Sequence, residues 1–315
     1  MASPLAEAKK LIAAWAGRPN SAVAVAMRRF YGKHARKLPL KVRAELCLAL
    51  GEAAELEGRF DHARWLYASA VGAVDPHVDE RLYARAALRC LLNASRLGEG
   101  SILAGVASLL EKLPADRQTP RLVFLGAFAR GLERFLCEDY DAARRAFEAS
   151  MGLSWESNDA DAEALAHHLL AQTWSRLGKL ARAREHVEAA QVAARKAGSW
   201  ILERRLALEA AKYRLRAGMA PEALAGARAL AIEIRRLGFP RFEAFAWTKI
   251  AHGILIDRVS AQALLTRSEG LLPEGHPDLV SVLTLKALLG REAGRGRMDR
   301  TIAEELQALV ALARG

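Results

Sequence analysis

Apolar residues recur along this chain at three- and four-residue steps, in blocks cut at regular intervals by short polar turns. Residues 41–75 show the pattern. Leu46, Leu50, Ala53 and Ala54 share one helical face, and Gly58-Arg59-Phe60-Asp61 then interrupts the run. Gly enters the left-handed backbone region without a Cβ clash, so it ends the first helix, and Asp61 suits the start of the next. Ala63, Leu66, Tyr67 and Ala70 line that second helix, and Asp75-Pro76 stops it. The same order recurs around Glu138-Asp139-Tyr140-Asp141, around Gly178 and around Gly218 with Pro221 in the permitted first turn. Residues 4–37 predict a hairpin about Gly17-Arg18-Pro19-Asn20, and residues 277–313 one about Gly294-Arg295-Gly296.

The blocks recur at a fixed period. Val23, Ala63, Leu103, Ala143, Ala183, Ala223, Ala263 and Ala303 stand at one repeat position, and none is charged. Five positions earlier stand Arg18, Gly58, Gly98, Glu138, Gly178, Gly218, Arg258 and Met298. A period of this size, about 40 residues, predicts stacked supersecondary units. The expectation is an all-α solenoid of about eight antiparallel helical hairpins in a right-handed superhelix, sixteen helices and no strand. It forms one array over 1–315, with a basic N-terminal hairpin (1–40), central repeats (41–276) and a C-terminal capping hairpin (277–315). Units of this kind bury only their neighbours, which places function on a surface.

The residues Gly51, Gly58, Ala63, Tyr67, Ala70 and Pro76 resemble the tetratricopeptide repeat, as do Gly131, Tyr140, Ala143 and Phe147, and Gly178, Ala183 and Ala190. Units around Leu103 and Ala263 depart from that pattern. The usual repeat has about 34 residues. The helices here are longer, similar to sensor domains of large bacterial transcription regulators such as the maltose regulator. The resemblance implies a superhelix whose first helices line a concave groove that binds proteins, peptides or other ligands. Some members clamp acidic C-termini with Lys and Asn at two first-helix positions. Here those positions hold Leu48, Leu88, Phe128 or His168 and Glu52, Leu92, Leu132 or Gln172, so the clamp is not expected.

Composition agrees with a folded helical chain, being half apolar and a quarter charged. Cys47, Cys90 and Cys137 are widely spaced and read as small buried hydrophobes in a reducing, cytoplasmic setting. The apolar run at Leu11–Ala16 is too short for a secretory core, and no stretch is long enough for a membrane span, so no leader or anchor is expected. Nucleotide-loop, serine-elbow and zinc-protease motifs are missing. His167 and His168 point about 100° apart on a helix and cannot chelate as a pair at four-residue spacing would. Glu156, Asp159, Asp161 and Glu163 lack the calcium-loop Gly and read as helix-start carboxylates. The expectation is a non-enzyme with no metal or cofactor.

Two features carry candidate binding chemistry. Projecting the repeat places Arg85, Arg89 and Arg96, then His168, Gln172 and Arg176, then Arg205, Lys212 and Arg216, then Lys249 and His252 on the inner wall. A basic wall suits an acidic peptide, unless neighbouring acids pair with it. On the helix at 120–137, Leu125, Phe128, Leu132 and Phe135 form an apolar stripe, read either as a groove patch or as a rotated helix burying its core face. The second feature is charge asymmetry. Net charge is +11, and +9 of it lies within residues 1–43. Arg29, Lys33, Arg36, Lys37, Lys41 and Arg43 there make an anionic-partner candidate or a solvated cap. The chain therefore reads as a non-catalytic scaffold or regulatory module for a protein or peptide. Alternatives are a nucleic-acid-associated regulator using the basic end, and a small-ligand sensor. Oligomeric state is not legible.

Overall fold

The computed structural model describes residues 3–216, 220–254, 258–274, 276 and 278–292. Among them are fifteen α-helices and no strand. They are α1 (Pro4–Gly17), α2 (Ser21–His34), α3 (Leu40–Leu56), α4 (Phe60–Val71), α5 (Glu80–Arg96), α6 (Gly100–Glu111), α7 (Pro120–Leu136), α8 (Tyr140–Glu156), α9 (Ala160–Arg176), α10 (Leu180–Lys196), α11 (Trp200–Arg216), α12 (Ala220–Arg235), α13 (Pro240–Gly253), α14 (Arg258–Glu269) and α15 (Leu279–Glu292). From α3 to α13 the helix starts are evenly spaced, at Leu40, Phe60, Glu80, Gly100 and so on to Pro240, so two successive helices make one repeat. The sixteenth expected helix, with Gly294-Arg295-Gly296 and Ala303, lies outside the described residues.

The turns explain the constancy of the spacing. Gly58, Gly98, Glu138, Asn158, Gly178, Gly198 and Gly238 all take positive φ, each two positions before a helix start. The N–H of the next residue then reaches back to the preceding helix, as Glu99 does to Ala94 and Lys179 to Trp174. These bonds close the carbonyls that a helix end leaves open. Immediately before the helix, Asp79, Thr119, Asp139 and Asp159 accept a backbone N–H of the first turn. The boundaries at Glu138-Asp139 and Asn158-Asp159 combine a left-handed stop with a polar start, and the others named use one or the other.

The chain divides into two compact units, one of residues 1–55 and 59–206, the other of residues 56–58 and 207–315. In the first unit Ala63, Leu103, Ala143 and Ala183 are fully buried, as the ladder predicts. Helices approach closely at two further points. A Cβ on Gly51 would stand 2.3 Å from the Tyr67 ring, and one on Gly131 would stand 2.5 Å from the Phe147 ring. Both rings are fully buried, so the absent side chain is what lets the paired helices meet. The apolar stripe of α7 belongs to this core. Leu125, Phe128 and Leu132 are buried, and Phe135 is half-buried edge-on to Tyr140. They form the core face of α7, which is sandwiched between α5, α6 and α8, and of the four only Leu125 also lines the cavity described below.

In the second unit α13 packs on α12, α14 and α15. Ala244, Ala251, Ala261, Leu265 and Val282 are among its core residues. Here the ladder shifts. Ala223 is half-buried and Ala263 exposed, while Ala227 and Ala261 are the buried small residues. At α14 the register slips because α13 has only 14 residues where seven earlier helices have 17. The cysteines also differ from expectation. Cys47 is buried and Cys90 half-buried, but Cys137 is exposed, since it is the first residue past the end of α7.

Candidate ligand cavity of the first unit

The first helices of successive hairpins, α3, α5, α7, α9 and α11, supply the walls of a cavity of about 760 Å³ within the first unit, and α1 contributes Ile12, Trp15 and Ala16. Residues 157–162 and 196–202, around the starts of α9 and α11, also line it. Apolar surface comes from Trp15, Leu82, Leu88, Phe124, Leu125, Trp200 and Ile201. Ionisable groups supply the rest: Lys41, Arg81, Arg85, Arg89, Arg121, Lys196 and Arg205 stand among Glu45, Glu52, Glu55, Asp79, Asp159 and Asp161. The wall is therefore nearly neutral, not basic.

The acids meet the arginines across helices. Glu52 of α3 lies 3.8 Å from Arg85 and 3.6 Å from Arg89, both on α5, and accepts a 3.0 Å hydrogen bond from Trp15 Nε1. Arg89 also reaches Asp161 of α9 at 3.5 Å, and Ser199 Oγ donates to Asp161 at 2.5 Å. Glu55, which is 5% exposed, pairs with Arg96 and lies 3.7 Å from Arg205. Arg121 joins Glu80, Asp159 and the Ser157 carbonyl. Burial alone raises the Glu55 carboxyl, but Arg96 and Arg205 outweigh it and hold it below the usual range. Asp161 behaves likewise, with burial opposed by Arg89 and by the Ser199 hydroxyl. Both acids thus stay ionised inside the protein.

The other expected wall residues are distributed as follows. In the first unit Arg176 is exposed, and His168 lies 2.8 Å from Gln172. In the second, Lys212 and Lys249 both bind Glu209 at 2.5 Å, so Glu209 serves these lysines. His252 sits beside them, lowered to about 4 by burial and then by the two lysines and Arg216, which is itself exposed. At the N-terminus Arg29, Lys33, Arg36 and Lys37 are all exposed. Lys41 is also exposed and pairs with Asp79 at 2.8 Å, and Arg43 is half-buried. Asp159 does start a helix as expected, but Asp161 has become a cavity residue.

His167 has a partner the sequence did not suggest. Its Nδ1 lies 2.9 Å from Nδ1 of His186, across the α9–α10 hairpin. Burial first, and His186 second, lower His167 to about 4. Above pH 6.5 both folded and unfolded chains carry it neutral. As pH falls the unfolded chain takes a proton that the folded one refuses until about pH 4. Urea melts should therefore show stability declining between pH 6.5 and 4, by up to about 3 kcal/mol from this residue at 1.36 kcal/mol per pH unit. His167→Gln should lessen the decline, and the part that remains is shared by His252, which burial lowers over the same window.

Among the described residues no group of three or more His, Cys, Asp or Glu side chains is placed to hold a metal, and no helix is long and apolar enough to cross a membrane. No protein-family model matches the chain, and no curated protein matches it in sequence. Solved structures do match. A Rap protein complexed with Competence and Sporulation Factor aligns over 99% of this chain and 86% of its own, at 10% identity and a TM-score of 0.67. The Rap conjugation gene regulator of the plasmid pLS20, in complex with the Phr* peptide, aligns over 90% and 76%, at 14% identity and 0.59. The fold is that of a tetratricopeptide-like helical repeat protein. At these identities the likeness is one of architecture, and such architectures carry different functions.

Proposed function

We infer that this chain is a non-catalytic regulatory module that binds a short peptide in the cavity of its first unit. The observation that carries the reading is the cavity itself, walled by the first helices of the hairpins and lined by both aromatic and ionised side chains. Its volume falls within the ordinary range for small-ligand pockets, about 300–1,000 Å³, and is too small for a folded domain. A peptide of a few residues has the apolar side chains, backbone polar groups and charges that such a lining matches. The two similar Rap proteins support the reading, one being a regulator held with a peptide. The balanced charge of the wall argues against a purely acidic ligand.

Ala16 tests the site without touching the ionic network. It lines the cavity from α1 yet is exposed, so Ala16→Trp adds bulk at the cavity with little cost to folding. A pool of random five-residue peptides is passed over the protein, and retained species are identified by mass spectrometry and titrated calorimetrically. Ala16→Trp should weaken the best peptide at least tenfold while leaving the melting temperature unchanged. Equal affinity in the variant would place the peptide elsewhere.

A further inference from the structure

Over much of the first unit cations stand beside acids. Arg64 pairs with Glu99, Arg130 with Glu111 at 2.9 Å and Arg144 with Glu148 at 2.7 Å. The N-terminal hairpin is different. Glu7 is the one acid within residues 1–43, and that stretch holds +9 of the net charge of +11. Arg29, Lys33, Arg36 and Lys37 are all exposed, and among the described residues none of them makes an ion pair. Lys9 and Lys10 of α1 are exposed too and likewise make none among those residues.

The four cations make one row. They lie on α2 and on the short 3-10 turn that follows it, Ala35–Lys37. At about 100° per residue they fall on the side of α2 opposite Ala24 and Met27, its two buried residues. The row from Arg29 to Lys37 is roughly 12 Å long at about 1.5 Å per residue. Helix α1 packs along α2 and adds Lys9 and Lys10 to the same hairpin.

We propose that this hairpin is a docking surface for the phosphate backbone of a nucleic acid. Each strand of a duplex carries a phosphate about every 3.4 Å along its axis. A row of roughly 12 Å therefore faces several phosphates in whatever register it meets them. An acidic protein segment would have to place its carboxylates in one matching register. A helix lying on a membrane needs its apolar face free for the lipid, and α2 has packed that face into the protein. Backbone contacts of this kind hold a nucleic acid without reading its sequence, and they weaken as salt restores the counterions that binding released. The surface differs in chemistry from the cavity, whose wall is nearly neutral.

The test is fluorescence anisotropy of a labelled DNA duplex of about 20 base pairs, and of a single-stranded RNA of the same length, titrated with the full chain between about 50 and 200 mM salt. At least one of the two should bind, with an affinity that falls steeply as salt rises. Arg29→Gln, Lys33→Gln, Arg36→Gln and Lys37→Gln together should weaken it at least tenfold at the low-salt end. The slope of log affinity against log salt should become shallower by about 3–4. All four side chains are exposed, so this variant should fold, which circular dichroism checks. Lys9→Gln with Lys10→Gln is a second variant, expected to flatten the slope by about 2. A control removes the same charge elsewhere in the first unit through Lys112→Gln, Arg117→Gln, Lys179→Gln and Arg195→Gln, all at exposed positions. It should leave the slope within about 1 of the wild type. Equal losses in variant and control would assign the binding to overall charge and overturn the proposal. So would binding of neither nucleic acid at about 50 mM salt, or capture by phosphatidylserine vesicles in their place. The peptide titrations with Ala16→Trp are independent of each of these results.

Discussion

Gly51→Ala should destabilise the protein by about 3 kcal/mol or more, although Ala is the better helix former. The new Cβ would stand 2.3, 2.7 and 2.9 Å from three atoms of the Tyr67 ring. That ring is fully buried and has nowhere to withdraw, so α3 and α4 must separate and lose their packing. Overpacking of this kind costs about 1–3 kcal/mol and occasionally more. Backbone approach at this point puts the case at the upper end. Gly131→Ala should behave alike, since its Cβ would meet Phe147 at 2.5 Å. Gly105→Ala is the control. Gly105 is exposed within α6, with nothing within 4 Å of a built Cβ, so the change should stabilise by about 0.5–1 kcal/mol. Urea midpoints for the three variants check the set. Similar losses in all three would mean that glycine flexibility, not the ring contact, governs these sites.

The second large effect lies in the charge network. Glu55→Ala should cost about 3–5 kcal/mol, the loss expected when one partner of a buried pair is removed. Arg96 and Arg205 would be left facing each other with the carboxylate between them gone. Glu55→Gln keeps the shape and part of the hydrogen bonding, so it should recover a portion of the loss. The sign with pH follows from the depressed carboxyl of Glu55. Its stabilisation is full above the unfolded value of about 4.5 and is lost as pH falls through the lower folded value. The Glu55→Ala deficit, read from urea melts, should therefore shrink in strong acid. A deficit independent of pH would point to lost packing and not to lost charge.

These two results separate what the sequence makes legible from what it hides. Gly51, Tyr67 and the Ala ladder are local features of one repeat, and the even spacing of helix starts lets each be placed by counting. The same counting put Arg85, Arg89 and Arg205 on the inner wall, where they do line the cavity. It did not give their partners. Asp161 reads locally as a helix-start carboxylate, and nothing in its own repeat reveals that α9 returns to within 3.5 Å of Arg89 on α5. Glu55 meets Arg205 from α3 to α11 for the same reason. Repeat period fixes which face a residue takes, whereas curvature, built up from small rotations between units, decides which distant faces meet. One signal was available: Glu52 occupies a position where tetratricopeptide repeats with an acidic-terminus clamp carry Asn. An acid there already spoke against a uniformly basic groove. The His167–His186 contact was hidden for another reason, because it joins the two helices of one hairpin at positions the repeat pattern leaves free. In the second unit the count itself failed, where the shorter α13 moved the buried small residue from Ala263 to Ala261.

The central claim is that the first unit's cavity is a peptide site, and a structure of the complex with the tightest-binding five-residue peptide tests it most directly. The account predicts the peptide inside the cavity, with an apolar side chain against Trp15 and polar groups on the ionised side chains of the wall. A peptide lying outside the cavity would contradict it.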